Sequence, residues 1–600
     1  MKVMRKALRN LRTGKAGQGA DATGSRLDEP MNEAPTPVED PGPGGWNEIQ
    51  PTHVYVRFKP ADTDQLADLE EAGLQLSFEP LDEGVAAVTS VNYSSADIPW
   101  VYTAVPTQTA LPGHIQQEKI DDLFLFNEDD GDMQDGDPWE PTPPPTEPCE
   151  PEWNESCRCY VICQRERQAP VVKRNTVRET TERLQKAGIS PLALYNEAMR
   201  ISGHEEEMLP EPSALLRGAR YYPSGTIRVR ETALSTDVPL RGAEVLARRW
   251  FKTDGAFLTE NGSFRINTGY RDKVKLIVQF KSGLATTRGY TAIMQPWDAV
   301  LPIRHMLGDY DKGQMQNMSY TFAYQANAES KGALAWVAAT CFNSIVEANA
   351  YSDARGLPRP VTGLNIWLSS AVTRDASAPM LRRIAVTTNI NAVLDFITPS
   401  TVSGAVLRRL MVRQLPDITC RYGSSNSATS LSNELAATFY HELAHSQHYA
   451  QVGNNFWTSY IAYIVGNDGY GQKSSSGSGR IAISEAWGNY IERLFTIDKY
   501  QGTVSNDLAN TARRELEWQT PSDDDSDGWI VYGLFHDMTD VGEPSFTNVV
   551  DNVNAFTPPL IFRGLQSNVT TVRAYQTEIF NQNSALQGTQ MNQLVTSYRW

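Results

Sequence analysis

Between Asn127 and Trp153 the chain reads NEDDGDMQDGDPWEPTPPPTEPCEPEW. Proline fixes φ and has no backbone N–H to donate, and the crowded carboxylates repel one another, so this stretch favours a stiff, solvated, extended linker. The 600 residues are enough for several domains at roughly 100–200 residues each, and this linker is expected to separate folded regions. Residues 1–47, with EAPTPVEDPGPGG among them, have the same Gly, Pro and charge bias and are expected to be disordered. The chain as a whole is 40% hydrophobic, enough to build cores.

Charge narrows the function classes. With 54 Lys+Arg against 71 Asp+Glu, the net charge of −17 leaves no basic excess to neutralise phosphates, which argues against nucleic-acid binding. No run approaches the roughly 18–20 apolar residues of a membrane helix, so no integral membrane segment is expected. The start, MKVMRKALRNLRTGKAGQGA, is basic but lacks the apolar core of a secretory signal. It leaves open a cytoplasmic protein or one whose true start lies upstream or was trimmed.

Six segments follow from the pattern, and the expected fold class is multidomain α+β. After the disordered 1–47, a small α+β domain spans 48–126: HVYVRFKP alternates like a strand, and Asp62 is placed to cap the helical DTDQLADLEEAG. The Cys-containing linker takes 127–160. A helical connector takes 161–218, with RETTERLQKAG and then SPLALYNEAMRIS, where Pro191 suits a first turn. Residues 219–290 hold short β-rich runs (SGTIRVRET, AEVLARRWF, GSFRINT, VKLIVQF) between turn signals. Residues 291–600 are mixed, with helical patterns at 329–350, 430–451 and 481–499, and strand-like GLNIWLSS and RIAVTT.

The six cysteines are equivocal. Cys149, Cys157, Cys159 and Cys163 do not have the paired spacing of structural zinc sites; a small disulfide knot and reduced thiols both fit. Cys341 and Cys420 are candidates for a bridge, and the even count leans toward an oxidising compartment. Two acidic runs look calcium-like: Asp129, Asp130, Asp132, Asp135 and Asp137, and DDDSDG at 523–528. Neither has the Glu an EF-hand loop requires, so they read as linker and turn, with Ca2+ a minor option.

The chemistry concentrates in SNELAATFYHELAHSQHYAQ, Ser432 to Gln451. No Gly or Pro interrupts it, its alanines and leucines favour helix, and Ser430 or Ser432 is a candidate cap. On a helix His441 and His445, at i and i+4, lie one above the other. Two imidazoles so placed can converge on one zinc ion. Glu442, beside the first of them, can take a proton from a water the metal polarises. With 8 His in the chain, a chance H-E-x-x-H somewhere is about a one-in-a-hundred event.

A catalytic site needs a third protein ligand. Position 448 is His and 451 is Gln, where the metzincin pattern has Gly and His. In GRIAISEAWGNYIERLF, Gly479 to Phe495, Glu485 stands in an apolar helical run, a costly place for an unpaired carboxylate. Through His441, Glu442, His445 and Glu485 the C-terminal half resembles the gluzincin metallopeptidases. The resemblance implies a mainly α zincin-like domain over 291–600 that binds one Zn2+ through His441, His445 and Glu485, with Glu442 as general base acting on a protein or peptide. Glu492 is the fallback ligand. One position departs: relatives place an Asp four residues after the Glu ligand to orient a zinc-bound His, and here it is Asn489, which can accept a hydrogen bond but brings no charge.

For the developing oxyanion, GWIVYGLFHDMTD offers His536 and, behind it, Tyr532. His448 lies near the ligand face, as a residue behind the ligands or at the surface. The segment PLRGAEVLARRWFKTDGAFLTENGSFRI, through Gly242, Val245, Thr259, Gly262 and Phe264, resembles the transthyretin-like, carboxypeptidase-regulatory-like domain. That implies a β-sandwich accessory module over 219–290, and with the peptidase it implies an extracellular or cell-envelope enzyme. Three alternatives stay open: an inactive peptidase-fold surface or binding protein, a zinc hydrolase of a non-peptide bond, and latency through one of the four clustered cysteines capping the zinc. No G-x-S-x-G supports a nucleophilic serine.

Overall fold

The computed structural model describes residues 7–8, 10–11, 51–78, 81, 98–123, 152–154, 159–161, 184, 188–202, 220–249, 252–270, 273–291, 299–373, 376–423, 429–500, 529–539 and 549–600. The chain is mixed α+β, with several antiparallel sheets and a helical C-terminal region. It divides into two compact units: Met1–Ala219 with Trp250–Lys252, and Arg220–Arg249 with Thr253–Trp600.

In the first unit, β1 (His53–Lys59) leads into α1 (Thr63–Glu71), followed by β2 (Val101–Pro106), β3 (Gln116–Leu123), the short pair β4 (Glu152–Asn154) and β5 (Cys159–Val161), and α2 (Pro191–Ser202). The sheet order is β2-β1-β3, antiparallel throughout. Asp62 caps α1 by accepting from Gln65 N at 2.9 Å, and Pro191 opens α2, as their residue types require. The expectation of disorder over 1–47 needs correction at its start. Ala7 and Leu8 are helical and buried in one apolar cluster with Tyr55, Leu123 and Leu194. Met4, Leu8 and Leu11 repeat at helical spacing, a pattern the later Gly- and Pro-rich residues hide. Both calcium-like runs lie outside the described residues, as do Cys149, Cys157 and Cys163.

The second unit begins with strands β6 (Ser224–Glu231), β7 (Thr236–Pro239), β8 (Glu244–Arg249), β9 (Lys252–Phe257), β10 (Ser263–Arg265), β11 (Val274–Gln279), β12 (Ala285–Tyr290), β13 (Arg304–Tyr310) and β14 (Met318–Phe322). The expected boundary at 290/291 runs through their pairing. One sheet is β10-β6-β14 with β7 on β6, and another is β13-β11-β8-β9. Strands beyond 291 thus complete both, and β14 joins β6 in parallel across a long excursion that no local pattern announces. Conversely β12, inside the expected β module, pairs in parallel with a strand of the later region.

That region continues with α3 (Lys331–Ala354), β15 (Leu364–Ser369), β16 (Ala376–Ser377), α4 (Leu381–Ile384), α5 (Ile390–Ile397), α6 (Val402–Arg413), β17 (Ile418–Cys420), α7 (Ser432–Gly466), α8 (Ser478–Tyr500), α9 (Leu534–Asp537), α10 (Pro558–Arg563), α11 (Val572–Gln582) and α12 (Gly588–Ser597). Its sheet runs β12-β15-β17-β16. α3 is apolar nearly all round and buried along most of its length, as such a helix must be. RIAVTT is not a strand: Leu381 and Ile384 are buried at helical spacing in α4, and Val386 is 92% exposed. Cys341 and Cys420, expected as a possible bridge, are free buried thiols.

α7 and α8 pack together at the heart of this unit. Fully buried Trp487 of α8 donates its indole N–H to the Ala444 carbonyl of α7 at 3.2 Å. Gln447 ties α7 to the Ser352 hydroxyl, at 3.0 Å, and to the Pro358 carbonyl, at 2.7 Å. Neither serine caps α7. Glu434 instead accepts from Leu431 N at 2.9 Å, while the Ser432 hydroxyl accepts from Thr232 N at 2.9 Å and donates to Glu231. α7 breaks at Gly453, whose φ of 75° and ψ of −176° belong to a region that is nearly glycine-only. The break turns the chain back on itself. His448 and Phe456 have ring centroids 5.2 Å apart, whereas eight residues of straight helix span about 12 Å.

Candidate metal centre

The i, i+4 spacing holds His441 and His445 on one stripe of α7, with ring centroids 4.7 Å apart and planes at 82°. Glu485 reaches them from α8. Its Oε2 lies 3.3 Å from His441 Nε2 and its Oε1 3.6 Å from His445 Nε2. One ligand atom from each of the three falls within 4.8 Å of the others. Two donors bound to one tetrahedral ion at about 2.1 Å stand about 3.4 Å apart; the two measured separations are of that size, each to a different oxygen of Glu485.

α8 accepts His441 because position 488 is glycine. A Cβ there would stand 2.6 Å from His441 Cε1 and 2.7 Å from Nε2, closer than atoms can approach. The ring therefore lies directly on the α8 backbone. Its other nitrogen, Nδ1, is 3.1 Å from Glu492 Oε2. Glu492, the fallback ligand, thus sits behind His441 and outside the ligand triangle.

The site is closely buried. Side-chain exposure is 2% for Glu485, 4% for His445 and 15% for His441. Burial alone would lower His441, but its bonds to Glu485 and Glu492 hold it well above the usual imidazole value. Burial would raise Glu485, and the two imidazoles hold it well below the carboxylate range. His445 is lowered by burial. Glu442 is pushed up to about 8 by burial, against the pull of His441. Among the described residues, Glu442 Oε2 and His445 Nδ1 are buried with no hydrogen-bond partner.

Two tyrosines complete the surroundings, and neither carries a sequence signal. The Tyr460 and Tyr470 hydroxyls donate to Glu485, to Oε1 and, at 3.0 Å, to Oε2. Burial, followed by the Glu485 charge, pushes both phenols well above their ordinary value, so both stay protonated donors. Tyr460 arrives only because the chain reverses at Gly453.

The remaining expected residues are placed differently. Asn489 does not back an imidazole: its Nδ2 donates to the Glu485 carbonyl at 3.0 Å, one turn back on its own helix. His448 is buried, not at the surface. It packs against Phe456 and Trp457, and burial pushes it down to about 3. His536, on α9, meets the Tyr490 ring edge to face with centroids 4.8 Å apart, held well below its usual value by burial and then by Arg493. Tyr532 is half-buried within electrostatic reach of Tyr470. The tyrosines bonded to Glu485 are Tyr460 and Tyr470. Searches of protein-family models, curated proteins and solved structures find no match to this chain.

Proposed function

We propose that the chain is a zinc-dependent peptidase in which His441, His445 and Glu485 hold the metal and Glu442 is the general base. The observation that carries this reading is the orphaned Glu442 Oε2, one residue along α7 from an imidazole that with His445 and Glu485 forms a cluster of three donors within 4.8 Å of one another. A buried carboxyl oxygen left without a partner costs about 1–3 kcal/mol. An alanine or leucine would fill the same helical position at no such cost, so a purely structural or inactive site gives no reason for a glutamate here. The unpartnered Glu442 oxygen fits a bound water, and the three donors fit an ion.

Zinc bound there would act as a Lewis acid and bring the pKa of a water toward neutrality. The positive charge of such an ion would favour the ionised form of Glu442, which burial alone disfavours, and the carboxylate would be placed to take a water proton on Oε2 and give it to the departing amine nitrogen. The phenols of Tyr460 and Tyr470 hold Glu485 in position through one hydrogen bond to each of its oxygens, and burial keeps bulk water from competing. A protein or peptide substrate is the reading that the gluzincin resemblance favours; the same atoms would serve hydrolysis of another carbonyl bond.

Elemental analysis of the wild type and of His445→Ala, paired with cleavage of a peptide library by the wild type and by Glu442→Gln, tests the proposal. About one zinc per chain, lost in the histidine variant, is expected, with cleavage reduced by roughly 10²–10⁴ in the glutamine variant. Zinc without cleavage removes the peptidase and leaves a metal site. A wild type that binds no zinc removes both.

A further inference from the structure

Glu485 and Glu492 are seven residues apart, two turns of α8, so both project from one stripe of the helix toward α7. The His441 ring lies between them, Nε2 toward Glu485 at 3.3 Å and Nδ1 toward Glu492 at 3.1 Å. Gly488, between the two in the same stripe, leaves the space the ring occupies. An imidazole that offers one nitrogen to a metal carries its proton on the other, and the partner of that proton fixes both the tautomer and the ring orientation.

We propose that Glu492 is the positioning carboxylate of this site: it receives the Nδ1 proton of His441 and so presents Nε2 to the zinc. This rests on the metal reading above. The residue that the gluzincin pattern would use for the task, at position 489, is an amide already turned to the Glu485 carbonyl. The charge is supplied instead one turn further along the helix, from a longer side chain that reaches the nitrogen the shorter one would have served. His445 has no such support, since its Nδ1 is buried without a partner among the described residues. The two histidines are therefore unequal ligands, and α8 contributes three things to the stronger one: the ligand Glu485, the clearance at Gly488 and the carboxylate of Glu492.

The test is zinc affinity, measured on the full chain by competition with a chromogenic chelator, for the wild type, Glu492→Gln, Glu492→Asp and Asn489→Ala. Thermal unfolding of each metal-free protein accompanies it. Glu492→Gln is expected to weaken zinc by about 10–100-fold, with Glu492→Asp between it and the wild type. Asn489→Ala is expected to lose less than Glu492→Gln. A metal-free unfolding temperature that stays near wild type in Glu492→Gln separates positioning of a ligand from general damage to α8. Wild-type affinity in Glu492→Gln, or an equal loss in Asn489→Ala, overturns this inference and leaves the zinc site standing. A wild type that binds no zinc overturns both.

Discussion

Two buried charged clusters sit on the same pair of helices, and they are finished to different degrees. Toward the N-terminal end of α7 and the C-terminal end of α8, Glu231 is met by Lys499 at 3.2 Å, by the Ser432 hydroxyl and by Tyr500 at 3.4 Å. Glu347 is met by Lys499 at 3.1 Å, Arg241 at 2.5 Å and the Tyr440 hydroxyl at 2.6 Å. Each carboxylate there has a cation and a hydroxyl. In the proposed metal centre, whose first histidine is the residue after Tyr440, Glu442 Oε2 and His445 Nδ1 have neither. A cluster whose carboxylates are each met by a cation and a hydroxyl holds helices together. One that leaves bonding capacity open, at an energetic cost, is arranged for something else to fill it.

The largest effect should come from breaking the finished cluster. Lys499→Met leaves Glu231 and Glu347 buried without their shared cation, and the metal-free protein should lose about 3–5 kcal/mol of unfolding free energy. Glu442→Gln, in the unfinished cluster, should change the same quantity by no more than about 1 kcal/mol, or raise it, because it removes a buried carboxyl oxygen that has no partner. Chemical denaturation followed by the loss of helical circular dichroism measures both. Equal destabilisation by the two variants would dissolve the distinction between the clusters.

What the sequence made legible follows the range of each interaction. The nearness of His441 and His445 was readable because one helix sets it, and the need of Glu485 for a buried partner because a single carboxylate in an apolar helical run has to be compensated. Asn489 was assigned by position in a pattern; the structure turns its amide to its own helix and brings up Glu492, since side-chain length and ring orientation are not written in spacing. Tyr460 was hidden because it depends on the chain reversal at Gly453, and Tyr470 because it comes from the loop between the helices. The 290/291 boundary failed for a related reason. Parallel pairings such as β6 with β14 and β12 with β15 join segments far apart in the chain.

A smaller effect should follow from closing the space that α8 leaves for His441. In Gly488→Ala the new methyl would stand 2.6–2.7 Å from the ring, so either the ring or the helix must move. Overpacking of this kind costs about 1–3 kcal/mol. Here it should appear twice, as lower stability of the metal-free protein and as weaker zinc binding, since the displaced ring no longer aims Nε2 at Glu485 and His445. Unchanged affinity would mean that His441 reaches the metal from a position other than the one it holds against α8.

The smallest effect is in the pH dependence of the finished cluster. Burial would raise the Glu347 carboxyl, but Lys499 and Arg241 outweigh it and hold the folded-state value below the ordinary 4.5. A group depressed in this way contributes stability that is complete above its unfolded value and is lost as pH falls through the folded one. The wild type should therefore be more stable than Glu347→Gln at neutral pH, and the gap should narrow as pH drops below about 4.5, where the wild-type carboxyl gains the proton that the amide never needed. Urea midpoints of the two metal-free proteins between pH 3 and pH 7, about the carboxylate range, measure the gap. A gap that stays constant would show that Lys499 and Arg241 do not set the charge of Glu347, and that the two clusters differ in packing rather than in how their charges are met.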